Sequence, residues 1–178
     1  MEGSSPFRLP GRRFEDLVAA NMARVFRFIL KQVGNRADAE ELTQETFLIA
    51  FRSADRFRGE STPETWLFGI AVNVVRGHLR RSPERRHRFI DDEVLSAMPS
   101  EAEDPFQSLE SSRRVAALDA ALSRLPQDWR ETVVCVAMEG FSYEEAAAIL
   151  GVPIGTVRSR LSRARDRLKA ELATEARV

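Results

Sequence analysis

The side chains best suited to chemistry lie near the C-terminal end, where residues 153–170 hold six bases and one acid. Stepping each residue about 100° around a helical wheel places Val157, Leu161, Ala164 and Leu168 on one face. Gly155, Thr156, Ser159, Ser162, Arg163 and Asp166 fall opposite, with Arg158, Arg165 and Lys169 along one flank and Arg160 and Arg167 along the other. Small polar groups can approach base edges while flanking cations neutralise phosphates. The pattern fits a helix for the major groove of DNA. A solvated surface helix with scattered arginines is the plainer reading, and the charge imbalance weighs against it.

The residues just before supply the rest of a helix-turn-helix. Ser142-Tyr143-Glu144-Glu145 has the form of a capping box, in which the serine takes an orphan amide and the glutamate reaches back. Gly151 suits the left-handed residue that ends a helix, and Pro153 suits the first turn of the next. Ala147, Gly151 and Val157 have the spacing of a small residue at a helix crossing, a turn glycine and an apolar anchor.

The N-terminal half offers two further surfaces. A predicted second helix carries Asp38, Glu41, Glu45, Leu48 and Arg52 in an outward stripe beside Gln44. Carboxylates repel DNA, so the stripe points to a protein partner, with a solvated face as the alternative. A predicted third helix combines Trp66, Phe68 and Asn73 with Arg76, Arg80 and Arg81, and Phe51 and Phe57 precede it. Aromatic and basic groups together suit unstacked bases on a single strand. The competing reading of Trp66, Leu67 and Ile70 is simple core.

Other chemistries find no support. No GxxxxGK[ST] loop is present for a nucleotide phosphate, and His78, His87 and the lone Cys135 form no metal-ligand spacing. No cofactor or metal is therefore expected. Cys135, in the apolar run Thr132–Met138, reads as a buried structural thiol, and one cysteine makes no internal disulfide. No apolar run approaches the roughly 20 residues of a membrane helix, and no signal-peptide core opens the chain. The cytoplasm is the expected compartment.

These groups need elements to hold them. Composition is globular, with 43% hydrophobic and 30% charged residues. The 27 basic and 27 acidic residues cancel but are segregated: residues 76–88 hold six arginines and one acid, and residues 91–110 hold seven acids and no base. After a Ser-, Pro- and Gly-rich start read as a frayed tail, Phe14, Leu17, Val18, Met22, Val25, Phe26, Ile29 and Val33 recur with helical period. Gly34-Asn35 stops that helix. Asp38 is a candidate cap for the second, which runs to about Ser53 with Leu42, Thr46, Ile49 and Ala50 inward. A loop, Glu60–Glu64, leads to the third helix, from Thr65 to about Arg81. Residues 83–110, with three prolines and the acidic block, read as a linker. Val115, Leu118, Leu122 and Leu125 then begin a second unit with further helices at about 127–139, 142–150 and 153–173. The predicted fold is all-α: two small helical domains, 10–82 and 110–173, joined by a flexible acidic linker at 83–109.

With these elements in place, the chain resembles a known family. Asp38-Ala-Glu-Glu-Leu-Thr-Gln-Glu-Thr-Phe47, Phe57-Arg-Gly59 and Thr65-Trp-Leu-Phe-Gly-Ile-Ala-Val-Asn73 are similar to conserved region 2 of the extracytoplasmic-function (ECF) sigma factors of the sigma-70 family. Leu125-Pro126, Phe141-Ser-Tyr-Glu-Glu-Ala146 and Gly155-Thr-Val-Arg-Ser-Arg160 are similar to their region 4. The resemblance implies a dissociable promoter-recognition subunit of bacterial RNA polymerase rather than an enzyme. It implies that Asp38, Glu41, Gln44, Glu45 and Leu48 dock on core polymerase. Residues of the loop Glu60–Thr65, chiefly Glu60, Ser61 and Thr65, with neighbouring Trp66, would hold a base flipped from the melted non-template strand, and Asn73, Arg76 and Arg80 would contact the upstream-ten element. Gly155, Thr156, Arg158, Ser159, Ser162, Arg163 and flanking Arg165 would read the duplex upstream-thirty-five element. An anti-sigma factor is a further implied partner. Pro63-Glu64, Gly69 and Gly77 depart from the family's common residues.

Two other function classes make different predictions. A stand-alone helix-turn-helix regulator would bind duplex tightly without polymerase. A nucleic-acid-modifying enzyme would need a convergent nucleophile, base or metal set, and none is legible.

Overall fold

The computed structural model describes residues 8–9, 12–81 and 105–175. Two short strands, β1 (Arg8–Leu9) and β2 (Arg12–Arg13), pair antiparallel with Arg8 opposite Arg13. This small ladder replaces part of the expected frayed tail. The linker expected at 83–109 lies mostly outside the described residues.

Helix α1 (Phe14–Val33) buries Phe14, Leu17, Val25, Phe28, Ile29 and Val33. Its inner face is turned slightly from the expected one. Met22 is 44% exposed, while Asn21 and Gln32 are buried. Asn21 can be internal because its amide donates to the Leu17 carbonyl at 3.0 Å. Gly34 ends the helix at φ 68°, a left-handed conformation that glycine adopts without a Cβ penalty, and its N–H donates to Leu30 O at 2.8 Å.

Helix α2 (Arg36–Ser53) is capped by Asn35, not by Asp38. The Asn35 side chain accepts from the Asp38 N–H at 2.9 Å, so Asp38 occupies the first turn, where its negative charge meets the helix dipole favourably. Leu42, Thr46 and Ala50 face inward as expected, but Ile49 is 37% exposed and Phe47 is buried in its place. The hydroxyls of buried Thr43 and Thr46 donate back to the carbonyls of Ala39 and Leu42. A 3-10 turn (Ala54–Arg56) follows, and α3 runs Pro63–Arg81. The preceding loop is therefore shorter than expected. Pro63 takes the first helical position, where a missing N–H costs nothing, and Thr62 Oγ1 accepts from the Thr65 N–H at 3.1 Å. Helices α1, α2 and α3 pack together around Phe28, Leu42, Leu67, Phe68 and Val72.

The C-terminal helices are α4 (Pro105–Ser123), α5 (Gln127–Val133), α6 (Tyr143–Leu150) and α7 (Ile154–Glu175), with a π-helical turn, Val134–Met138, continuing α5. Leu122 and Leu125 are buried with Val133, Leu161 and Ala164. Val115 and Leu118, expected in the same row, stay 46% and 38% exposed. Among the described side chains of α4, Ala121 and Leu122 are buried and the earlier members of the row are not, so a shared helical row does not give shared burial.

The two sets of helices do not stand apart. Helix α3 packs on α6, and one continuous core runs from Leu17 through Phe68 to Phe141 and Leu150. Phe68 meets Phe28 edge-on at 5.4 Å and Phe141 at 4.9 Å. A Cβ at Gly69 would stand 3.9 Å from the Ile149 carbonyl oxygen, ordinary van der Waals contact, so the approach does not require a glycine there.

Candidate nucleic-acid interface

The helix-turn-helix forms from local rules. Ser142 Oγ accepts from the Glu145 N–H at 3.1 Å while Glu145 Oε2 accepts from the Ser142 N–H at 2.9 Å. Gly151 turns left-handed at φ 67°, and the Pro153 carbonyl accepts from the N–H groups of Thr156 and Val157 to start α7. Ser142→Ala removes the Oγ acceptor and leaves only the backbone half of the box, so the chain should lose about 1 kcal/mol of stability by chemical denaturation.

Val157, Leu161 and Ala164 anchor α7 in the core, which turns the opposite face outward. Gly155, Arg158, Ser159, Ser162, Arg163 and Arg165 are exposed there, and Thr156 is half-buried. No atom lies within 4 Å of the Cβ position at Gly155, so nothing within this chain requires its bare Cα. The Arg158 guanidinium lies 6.0 Å from the centre of the Tyr143 ring, a cation–π distance that restrains it beside the face.

The second flank is not the phosphate rim that the wheel suggests. Arg160 is largely buried and its guanidinium donates to Asp128 at 2.5 Å, tying α7 to α5. Arg167 pairs with Glu171 one turn on at 3.0 Å. These cations answer the chain's own carboxylates, whereas the flank of Arg158 and Arg165 faces outward.

On α3, Asn73, Arg76 and Arg80 follow at helical spacing along one stripe. Asn73 and Arg80 are exposed. Arg76 is half-buried and engaged: its guanidinium donates to Glu131 Oε2 at 2.7 Å and to the Leu150 carbonyl at 3.2 Å. Burial pulls the Arg76 pKa down, but the hydrogen bond and charge of Glu131 outweigh it and leave the group above its ordinary value. Before α3, Glu60 is exposed and Ser61 half-buried. Thr65 is buried, sharing a 2.8 Å hydrogen bond with Thr62, which makes it a cap partner rather than an open contact. Trp66 is half-buried, its ring 5.2 Å from that of Phe57.

The acidic stripe on α2 is accessible over Glu41, Gln44 and Leu48, with Asp38 and Glu45 half-buried. Asp38 lies 3.6 Å from His78 on α3. Leu48 and Ile49 add exposed apolar surface beside the carboxylates. Such a mixture suits a protein partner more than a nucleic acid.

Sequence reasoning missed Arg24, Glu131 and Glu139. Each reads as an ordinary surface charge, and nothing in its neighbourhood along the chain signals a partner. Cys135 is buried, and burial pushes its thiol well above the ordinary range, which makes it unreactive. Burial likewise lowers Arg130 to about 10 against the raising effect of Glu131. Among the described residues no cluster could hold a metal ion, and no helix is long and apolar enough to cross a membrane.

A helix-turn-helix with an outward polar and cationic face is thus joined to an N-terminal helical unit that carries an aromatic-basic helix and an acidic stripe. Residues 17–85 match Sigma-70 region 2, and residues 116–168 match Sigma-70, region 4. The ECF RNA polymerase sigma factor SigE of Mycolicibacterium smegmatis is 41% identical over 160 residues, covering 90% of this chain and 62% of that protein. The RNA polymerase sigma factor HrpL of Pseudomonas syringae is 37% identical, covering 88% of this chain and 85% of the relative. In three dimensions the chain is similar to the sigma factor RpoE of Bartonella quintana, solved in complex with the anti-sigma factor NepR. The TM-score is 0.71 at 30% identity, covering 90% of this chain and 96% of that one. The chain belongs to the ECF RNA polymerase sigma factors of the sigma-70 family.

Proposed function

We propose that this chain is an alternative sigma factor that binds core bacterial RNA polymerase, directs it to particular promoters and starts transcription there. The observation that carries the reading is the exposed face of α7, bare at Gly155 and cationic at Arg158, Arg163 and Arg165, within a chain of this family. In the proposed division of labour, residues 110–173 read the duplex upstream-thirty-five element. Gly155, Thr156, Ser159 and Ser162 face base edges there, and the arginines meet bases and phosphates. Residues 10–82 dock on polymerase through Asp38, Glu41, Gln44, Glu45 and Leu48. They hold the melted non-template strand of the upstream-ten element with Glu60, Ser61, Trp66, Asn73, Arg76 and Arg80, and Thr65 shapes the rim. Residues 83–109 join the two. Trapping unstacked bases offsets an unpairing cost of a few kcal/mol without ATP. The chain is not itself an enzyme; polymerase performs the chemistry, in the cytoplasm.

An anti-sigma factor controls it. The fold shared with the sigma factor RpoE, solved with the anti-sigma factor NepR, and with CnrH, solved with the cytosolic domain of CnrY, supports that partner. Transcription with core polymerase on a promoter library tests the function. Promoter-specific initiation only with both components is the expected result, and tight duplex binding by the free chain alone would favour a stand-alone regulator. In the same assay Arg163→Ala should weaken use of the upstream-thirty-five element by about 1–3 kcal/mol, with relaxed preference at one position. An unaltered preference would remove Arg163 from the reading set.

A further inference from the structure

Near its start the chain keeps arginine where its own fold favours other residues. Arg13 is the N-cap of α1, in extended backbone, and makes no side-chain cap bond. Arginine offers no acceptor to the orphan amides of a first turn, and its charge stands at the positive end of the helix dipole. The pairing of β1 with β2 makes Arg8 the register partner of Arg13, with Arg12 next in the chain, and residues 8–13 hold no acid. Strand β1 also touches the 3-10 turn at Ala54–Arg56, and the Phe14 ring meets that of Phe51 at 5.5 Å, which sets the hairpin against the turn. Just beyond the turn, Phe57 packs on Trp66, and Arg56 and Arg58 are exposed on either side of it. The acids of these stretches are Glu15 and Asp16 in the first turn of α1, and Asp55 and Glu60 around the loop. Among the described residues Arg13, Arg56 and Arg58 pair with none of them, whereas Arg24, Arg76 and Arg160 each hold a carboxylate.

We propose that this hairpin and the turn beside it form a further nucleic-acid surface, on which Arg13, Arg56 and Arg58, extended by Arg8 and Arg12 of the ladder, hold backbone phosphates of the melted strand next to the base taken by the loop Glu60–Thr65. The inference rests on the reading of that loop as the holder of a flipped base. Location singles out nucleic acid as the partner. Arg58 stands just before the loop, and Arg56 and Arg58 flank the ring that anchors Trp66. A strand gripped at the loop must carry its neighbouring phosphates past these side chains. A guanidinium meets a phosphate through two parallel hydrogen bonds, and a strand supplies such anions at every nucleotide. Contacts of this kind fix a strand and raise affinity without reading its sequence. The hairpin precedes residue 17, where the match to Sigma-70 region 2 begins, so it adds to the surface shared across the family. Arginine at the cap of α1 thus gives up helix stability for grip on the strand.

The test uses the full chain with core polymerase, and single strands copied from the non-template strand of a promoter from which the pair initiates. One strand is the upstream-ten element alone, and another adds a short thymidine tail at each end. For the native chain the tails should tighten binding, read by fluorescence anisotropy, and steepen its dependence on salt. Arg13→Ser should lose part of that gain, and Arg8→Ser/Arg12→Ser/Arg13→Ser more of it. The slope of log affinity against log salt should become shallower by about 0.7 for each phosphate contact removed, with the preference for the element's bases unchanged. Arg13→Ser should also unfold at an equal or higher denaturant midpoint, because serine supplies the missing cap, so lost grip is not lost folding. Tails that add nothing to native binding, or variants that keep the native gain and salt slope, overturn the proposal. So does a loss of affinity for core polymerase measured without DNA, which makes the hairpin a protein contact. If the native pair binds the element no better than a scrambled strand, the base-holding reading fails and the hairpin proposal falls with it.

Discussion

Charge reversal at Glu41 and Glu45 together, to lysine, should abolish binding to core polymerase while the chain stays folded. Glu41 is exposed and Glu45 half-buried on α2, beside exposed Gln44, Leu48 and Ile49. A stripe of this kind binds through charge matched across a contact that also buries apolar surface. Reversing two charges turns attraction into like-charge repulsion, which costs several kcal/mol in an interface and slows encounter. A loss of at least about a hundredfold in affinity is expected, since each 1.4 kcal/mol is about tenfold. The effect should be largest at low ionic strength, where surface charges are least screened. Substitutions at exposed positions cost within about 0.5 kcal/mol of stability, so the unfolding midpoint should hardly move. Titration of labelled chain with core enzyme, alongside denaturant unfolding, reads both. Native affinity in the double variant would return the stripe to a merely solvated face.

Local features of this molecule were legible in the sequence, and long-range pairings of charge were not. The helix-turn-helix is written in short-range chemistry: a serine and glutamate three residues apart, a glycine at the left-handed turn, and a period placing Val157, Leu161 and Ala164 inward. The cap of α2 shows where local reading reaches its limit. Asn35 and Asp38 both suit a cap, and only the geometry of the preceding turn chooses Asn35. Met22, Ile49, Val115 and Leu118 fit the apolar period but lie at the edge of packing or beyond it, because a period gives an angle around a helix and not the extent of its neighbours. Arg160 is a sharper case. The wheel places it on a cationic flank, but Asp128, 32 residues earlier, claims it. Arg76 and Glu131 are 55 residues apart, and Arg24 and Glu139 are 115 apart. Arg and Glu are the residues a single sequence assigns to water, so their burial against each other left no periodic trace. The stripe containing Asn73, Arg76 and Arg80 was legible as spacing, whereas its occupant depended on how two separately readable units came together.

Phe68→Ala should destabilise the whole chain by about 3–5 kcal/mol, the range for removing a buried phenyl ring from a packed core. The magnitude follows from where the ring sits. Phe68 is fully buried, edge-on to Phe28 on its own side and to Phe141 across the interface, with the Arg24 guanidinium 5.2 Å from its centre. Its deletion removes apolar burial, two aromatic contacts and a cation–π contact, and α1 and α3 cannot close the gap without moving α6. The consequence differs from that of Phe28→Ala, which deletes a ring placed among the N-terminal helices. Because Phe68 joins the two units, its loss should also separate their unfolding, turning one cooperative denaturant transition into two with a reduced slope for each. Tryptophan fluorescence can follow this directly, since Trp66 reports on α3 and Trp129 on α5. Phe68→Leu, which keeps most of the volume, should recover more than half of the loss and restore a single transition. A single unchanged transition in Phe68→Ala would mean that the units share less than their common core implies, and that Phe28 alone holds the N-terminal helices together.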